Sequence, residues 1–343
     1  MSLTMTEIQP AHKTRARALS LALVAASRTA PLLDIPTELG LEILELALTH
    51  TPFTILFAVS KSFSALISTI LYRHIVLDSL QTLSLFSRTA KSKSPEFLDA
   101  HIKTLTVEIE PWRFNAAARI ELERVVAACT GLRALAVSRP GVLCHSLSYP
   151  TLPRALPSEV TIQSFDASAA PSASSHAAHL SASITHLRIS EPGDTWHSPL
   201  SILAFFGSTP HLTHLALARR MDANIDNDQV FANELRYLLA NRRNLKMIVV
   251  RVFPAHWPQY CDDSYPGAAG TVSAESSSIW AALATVAEFD KRLILVSAGF
   301  KNRGVDSVVY EESVVPRVGR RRGFSDFWEQ SRRDWEARTD IES

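Results

Sequence analysis

The chain has 343 residues, 46% of them hydrophobic and 20% charged, enough apolar material for a folded protein with a large core and short mobile ends. A formal net charge of +1 excludes a global field that would draw nucleic acid or an anionic membrane, and the length fits one elongated domain or two ordinary ones. Three scattered cysteines, Cys129, Cys144 and Cys261, form no CxxC pair and make a poor disulfide framework, which points to a reducing compartment, cytoplasmic and/or nuclear; no apolar run reaches the roughly 18 residues a membrane span needs.

Residues 1–30 read as a flexible, partly helical leader. The basic stretch His12-Lys13-Thr14-Arg15-Ala16-Arg17 precedes a short alanine-rich run from Leu19 to Ser27, which also has the outline of a targeting segment, although Glu7 is out of place in one. Residues 31–78 form the next unit. Asp34 and Thr37 offer capping oxygens and Pro36 suits a first helical turn. Leu39, Ile43 and Leu46 recur at i, i+4, i+7, and Leu41, Leu44 and Leu48 make a second stripe, so this helix must be covered on two sides. Thr49-His50-Thr51-Pro52 ends it. Phe53, Leu56 and Phe57 open a short helix, and Phe63, Leu66, Ile67, Ile70 and Leu71 follow at amphipathic spacing. A unit of about 40 residues rarely covers its own core, so these three helices lean on another surface.

From residue 79 to about 300 the pattern becomes alternating strands and helices. A Leu-x-x-Leu-x-Leu-like phrase recurs at Ile102-Leu105-Val107, Leu132-Leu135-Val137, Ile184-Leu187-Ile189, Leu212-Leu215-Leu217 and Leu245-Ile248-Val250, with a weaker copy at Ile162-Phe165-Ala167. The spacing of 22–33 residues suits one strand and one return segment per repeat, stacked in parallel. Return helices are predicted over Ala116 to Cys129, Pro199 to Phe206, Gln229 to Ala240 and Ile279 to Phe289, with a further strand over Leu293 to Val296 and six or seven strands in all. Ala167 to Ser183 and Pro254 to Ser278 read as irregular. The tail, residues 301–343, holds the basic run Arg317 to Arg322, read as a solvated loop or as an import or nucleic-acid patch, and then a helix with Phe324, Phe327, Trp328 and Trp335.

The segments Leu33-Asp34-Ile35-Pro36-Thr37-Glu38-Leu39, Ile43-Leu44 and Ala58-Val59-Ser60-Lys61-Ser62-Phe63 resemble an F-box, whose phrase runs Leu-Pro-x-Glu-Leu, Ile-Leu, Val-Cys-Lys-x-Trp. The continuation Leu71 to Asp78 resembles F-box proteins of mushroom-type fungi. Ile35, Ser60 and Phe63 depart from the usual Leu, Cys and Trp. The resemblance implies a three-helix module that docks on the small Skp-type adaptor of Skp–cullin–F-box ubiquitin ligases, and through it on a cullin. By motif position, Ile35, Pro36, Leu39, Ile43, Leu56, Val59 and Phe63 would make that contact. The repeats resemble leucine-rich repeats loosely, since the Asn of that family's ninth position is absent. The expected fold class is therefore α/β, an F-box-like module followed by a short irregular solenoid that binds a protein substrate.

In such an array the residues between the aliphatic positions face outward, among them Thr104, Thr106, Thr185 and Thr213. Arg133, His186, Arg188, His214, Lys246 and Arg251 give this stripe a basic lean fit for an acidic or phosphorylated peptide, or leave it an ordinary solvated face. His211 and His214 cannot share a metal from opposite faces of a strand, and His176 and His179 lack a third ligand. Asp222 to Asn233 fails a calcium loop at its sixth and twelfth positions; Asp228 is read instead as the cap of a helix from Gln229. No phosphate loop, G-x-S-x-G elbow or H-E-x-x-H helix occurs, so no cofactor, metal or catalytic residue is expected. The rival to a ligase adaptor is a repeat scaffold whose helical end only caps the array; a hydrolase on an unusual α/β fold ranks third.

Overall fold

The computed structural model describes residues 35–109, 113–142, 157–166, 182–221, 224–254, 274–298, 327–333 and Glu336. The chain divides into two compact units, residues 1–70 and 71–343.

The first unit is helical. Helix α1 spans Thr37–His50, with Pro36 at its N-cap and no side-chain cap bond, and Glu38 in the first turn, where a negative charge meets the positive end of the helix dipole. Pro52 follows its last turn and precedes α2, Phe53–Phe57, where the Phe53 and Phe57 rings meet edge to face at 6.1 Å. Helix α3 spans Lys61–Arg73, and the Ser60 hydroxyl accepts from the Phe63 backbone N–H at 3.2 Å, so the serine acts as a cap. Leu44, Ile67 and Ile70 are buried, while Leu39, Ile43, Leu46, Phe53, Ile55 and Val59 are exposed. The stripe Leu39, Ile43, Leu46 is therefore the side of α1 left open.

The second unit is an α/β structure around one eight-stranded sheet. Its strands are β1 His74–Leu77, β2 Thr104–Val107, β3 Ala134–Val137, β4 Glu159–Ser164, β5 His186–Glu191, β6 His214–Arg220, β7 Met247–Phe253 and β8 Leu293–Ser297, all parallel and paired in chain order. Parallel neighbours need a crossover between them. The described crossovers are α4 Leu80–Ser92 and α5 Pro95–His101, α6 Ala116–Ala128, α7 Pro199–Phe206, α8 Ile225–Asn241, and α9 Ser278–Phe289. Each begins at a serine or asparagine whose side chain accepts from a backbone N–H of the first turn: Ser79, Ser94, Asn115, Ser198, Asn224 and Ser277. Between α6 and β3 the chain passes so close to α5 that a Cβ on Gly131 would overlap the Asp99 carbonyl oxygen.

Alternation along the strands separates two faces. Leu105, Leu135, Val160, Leu187, Leu215, Ile248 and Leu293 stand in register and share one buried cluster with Leu83, Leu122, Ile202, Leu235 and Leu283 of the helices. The opposite face carries smaller and more polar side chains. Its central row runs Val76, Thr106, Ala136, Thr161, Arg188, Ala216, Val249, Ile294. A helical segment at 327–333 lies on this face, and its Phe327 and Trp328 join Ala216, Met247, Val249 and Ile294 in a second cluster.

The structure departs from the sequence reading in five places. Among the described residues eight strands form, not six or seven. His74–Leu77, read with the helical module, is the first strand of the sheet, because Ile75 and Leu77 align with Leu105 and Val107. The weak repeat copy is misplaced: Val160 and Ile162 align with Leu135 and Val137, so the phrase starts at Pro157, five residues before Ile162. The intervals around it then become 25 and 27 residues, close to the other repeats. Thr104 and Thr106 are buried at 7% and 3% exposure, in a row flanked by Ala134 and Ala136. Finally, α8 begins at Ile225 behind an Asn224 cap, which places Asp228 inside the first turn, where it is buried against Arg219. The leader, His176, His179, the Arg317–Arg322 run, Cys144 and Cys261 lie outside the described residues.

Candidate functional site

The sequences Thr185-His186 and Thr213-His214 occupy the same register position on adjacent strands. The Thr185 hydroxyl donates to the Ser158 carbonyl at 3.1 Å, and the Thr213 hydroxyl donates to the Thr185 carbonyl at 3.0 Å. Each hydroxyl also meets the Nδ1 of the following histidine, at 2.9 and 2.8 Å. Each threonine hydroxyl thus anchors the following imidazole through one hydrogen bond, whose donor depends on the ring's tautomer. The two rings lie flat against one another, 4.2 Å apart and 9° from parallel.

Trp328 covers the stack, its ring 5.6 Å from His186 and 5.3 Å from His214. Phe327 sits beside it at 4.9 Å, with the Arg188 guanidinium 3.7 Å from the phenyl centroid. Phe327 and Trp328 are 7% and 8% exposed, and Met247, Val249 and Ile294 complete the floor. Burial lowers the pKa of His186, with Lys246 adding to it. Burial also pushes His214 down to about 4, helped by the charges of His186, Arg332 and Lys246. Both imidazoles are thus neutral at physiological pH. The result is a flat aromatic platform with a cation at one edge, suited to holding an aromatic side chain by stacking and cation–π attraction.

Of the six predicted substrate contacts, the structure brings His186, Arg188 and His214 together. Lys246 is exposed, preceding β7, and is near enough to act on both histidines. Arg133 is exposed before β3, two strands from β5, and Arg251 lies over the Phe253 ring at 5.1 Å. Sequence reasoning missed Trp328 and Phe327 as part of this face. The available signal was the repeated Thr-His pair at the start of successive strands, which places two histidine rings side by side.

At the carboxyl ends of β4–β6 a crevice of about 130 Å³ opens between Phe165, the Pro192–His197 turn and Arg219 and Arg220. Asp194 bridges Arg139 at 3.4 Å and Arg220 at 3.8 Å, one carboxylate between two guanidinium groups. Thr195 Oγ1 meets His197 Nε2 at 2.8 Å, and the His197 ring packs edge-on to Phe165 at 5.1 Å. Among the described residues, no three His, Cys, Asp or Glu side chains gather as a metal site.

On the helical unit, Leu39, Ile43 and Val59 are 51%, 45% and 58% exposed. Pro36 is exposed as well, whereas Ile35, Leu56 and Phe63 are half-buried. Leu46, Phe53 and Ile55 extend the exposed apolar area beyond the positions picked from sequence. Among the described residues no helix is long and apolar enough to cross a membrane. Comparison with protein-family models, with curated proteins and with solved structures found no match.

Proposed function

We propose that this chain is a binding adaptor, the substrate-recognition subunit of a Skp–cullin–F-box type ubiquitin ligase, in which residues 31–78 include an F-box-like module and the parallel sheet belongs to a short leucine-rich-repeat-like solenoid that holds a protein substrate. The observation that carries this reading is the half-or-more exposure of Leu39 and Val59, with Ile43 close behind, at the positions that match the F-box phrase. Full burial of such an aliphatic side chain is worth ~1.5–3 kcal/mol, so side chains about half in water gain roughly 1 kcal/mol each when a partner's groove covers them. The solenoid reading is supported by strands that pair in chain order and by the phrase Leu-x-x-Leu-x-Leu, whose first positions Ile102, Leu132, Ile184, Leu212 and Leu245 are buried before their strands.

In this role the chain performs no bond chemistry. It fixes the substrate near the ligase partners and so raises its effective concentration. The compartment that fits is the cytoplasm and/or the nucleus. The half-burial of Ile35, Leu56 and Phe63 favours a second reading, a repeat scaffold without a ligase role whose helical end serves its own chain.

The test is a pull-down and calorimetric titration with a purified Skp-type adaptor. The Leu39→Asp/Val59→Asp variant loses binding at least ~100-fold while its circular dichroism and melting stay those of wild type, because both side chains are more than half in water. A wild-type chain that does not bind the adaptor refutes the ligase reading and leaves the scaffold.

A further inference from the structure

Strands β5 and β6 do not stay together to their ends. β4 and β5 pair as far as Ser164 and Glu191, and β6 and β7 as far as Arg220 and Phe253, but β5 and β6 pair only as far as Arg188 and Ala216. Ile189 to Glu191 on one strand and Leu217 to Arg220 on the other therefore run on without each other, and their carboxyl ends part. The crevice between the Pro192–His197 turn and Arg219 and Arg220 lies at this parting, with Ile189 and Ala218 in its walls. In open parallel sheets ligands gather outside the carboxyl ends of the strands, where neighbouring elements diverge. We propose that this crevice is a binding site for a single carboxylate group on a body no larger than one side chain, held by Arg220 and Arg139. All of its residues belong to the sheet unit, so the proposal goes beyond adaptor docking and stands whether or not the helical unit meets an adaptor.

Arg220 supplies the first reason. Among the described residues its Nε is buried without a hydrogen-bond partner, and its Nη2 meets Asp194 only at 3.8 Å. A side chain 27% exposed thus gives up most of its water and gains no hydrogen bond for its five N–H donors. Arg139 is better held: Nη1 donates to Ser164 Oγ at 3.2 Å and Nη2 to Asp194 at 3.4 Å. Asp194 is 70% exposed, so it bridges the two cations loosely and can turn out into water when a planar carboxylate takes two parallel N–H bonds from a guanidinium. Ser190, 1% exposed in the same unpaired stretch, also has a hydroxyl without a partner among the described residues, and strand alternation puts it on the side of the sheet that Arg220 faces. Charge selects a monoanion. Asp228 neutralises Arg219, and His197 adds no cation, because burial lowers its pKa against the pull of Asp166. Two guanidinium groups thus stand against Asp194, with Asp166 close to His197, which leaves room for one negative charge and disfavours a phosphate dianion. Size follows from the opening: about 130 Å³ compares with the ~150 Å³ cavity that takes one benzene ring. Phe165, Trp196 and Ile202 give it apolar walls, and the turn is pressed onto β4 so closely that a Cβ on Gly193 would overlap the Phe165 carbonyl oxygen.

The experiment uses the full chain and fluorine NMR of para-fluorobenzoate, with para-fluorobenzamide as its neutral twin. The benzoate binds and the benzamide does not. Arg220→Met weakens benzoate binding at least ~tenfold, the loss expected for a charged hydrogen-bond donor. Asp194→Asn, an exposed position, removes the resident carboxylate and strengthens binding at least ~threefold, and this arm decides the matter if the arginine variant does not fold. Two capped peptides, acetyl-Ala-Glu-Ala-amide and acetyl-Ala-Gln-Ala-amide, then identify the source of the carboxylate. Displacement of the probe by the Glu peptide alone supports an acidic side chain of a bound protein, and displacement by neither supports a free small acid. Displacement by the Gln peptide overturns the proposal. Equal binding of the benzamide, unchanged affinity in Asp194→Asn, stronger displacement by inorganic phosphate than by acetate, or no binding of the benzoate overturns it as well.

Discussion

The position of β6, which carries His214, depends on a buried ion pair, and removing its carboxylate is the sharpest stability test of the fold. Arg219 and Asp228 are 6% and 2% exposed. Arg219 gives two bonds to one carboxylate oxygen, from Nη2 at 2.6 Å and Nε at 3.2 Å, and the Ser278 hydroxyl donates to the other oxygen at 2.8 Å. One carboxylate therefore ties β6, α8 and α9 together. Asp228→Ala deletes all three bonds and leaves a guanidinium stranded in the interior, a loss of ~3–5 kcal/mol. That is a large part of the ~5–15 kcal/mol by which a typical protein is stable. Asp228→Asn keeps the shape and the Ser278 contact but not the charge, so it falls between wild type and alanine. The double variant Arg219→Met/Asp228→Leu removes both charges at similar volume and returns to within ~2 kcal/mol of wild type. Urea unfolding followed by far-ultraviolet circular dichroism, with linear extrapolation to water, measures all three. An Asp228→Ala variant within ~1 kcal/mol of wild type, or a double variant as unstable as the single one, refutes the assignment of this pair as an internal strut.

Two further predictions concern pH. Glu108, at the end of β2, has a carboxylate oxygen buried without a partner among the described residues, and burial, aided by Asp78, raises its pKa from 4.5 to about 7. The folded chain holds this proton more tightly than the unfolded chain, so stability falls as pH rises from 4.5 to 7; Glu108→Gln gains on the order of 1 kcal/mol at pH 8 after allowance for solvent screening, and nothing at pH 4, as read by urea midpoints. An equal shift at both pH values refutes it. His214 has the opposite sign: its pKa drops from 6.5 to about 4, so its contribution is fully present above 6.5 and is lost as pH falls toward 4. Acrylamide quenching of Trp328, read against Trp328→Phe, therefore rises between pH 6.5 and 4.5 in wild type and rises less in His214→Gln; identical profiles would refute the coupling of this ring to its cover.

Most of the sheet unit is legible from sequence because its physics is local. The helices over Ala116–Ala128, Pro199–Phe206 and Ser278–Phe289 each begin at a serine or asparagine whose side chain bonds a first-turn amide, and each places apolar residues at helical spacing. The strands announce themselves by two aliphatic residues two apart. The failures come where that local signal is duplicated or absent. Around β4, Val160, Ile162 and Phe165 are all apolar and buried, so the phrase fits at two offsets, and only pairing with β3 and β5 chooses between them. Asp228 follows Asn224 by four residues, and both can cap a helix; the buried Arg219 on the neighbouring strand decides, by drawing the carboxylate inside. Neither choice can be made from a window of residues, because the deciding partner lies on another strand.

The candidate site is harder still to read, since its parts belong to opposite ends of the pattern. His186 and His214 were visible as outward-facing residues, and an outward polar row reads as solvated. That inference assumes nothing returns to the face. Yet neutral, mutually stacked imidazoles with Nδ1 already satisfied present an aromatic surface rather than a hydrated one. A surface of this kind at the base of a sheet is an energetic liability in water, and the chain answers it with the one adjacent aromatic pair of its tail that the described residues include, Phe327 and Trp328. The Thr185 and Thr213 hydroxyls hold the histidine rings, the stacked rings present an aromatic surface, and the indole of Trp328 covers it. The aromatic pair and the histidines it covers lie more than a hundred positions apart, and Phe205-Phe206 offers a second adjacent pair, so only the folded sheet decides which one meets the stack.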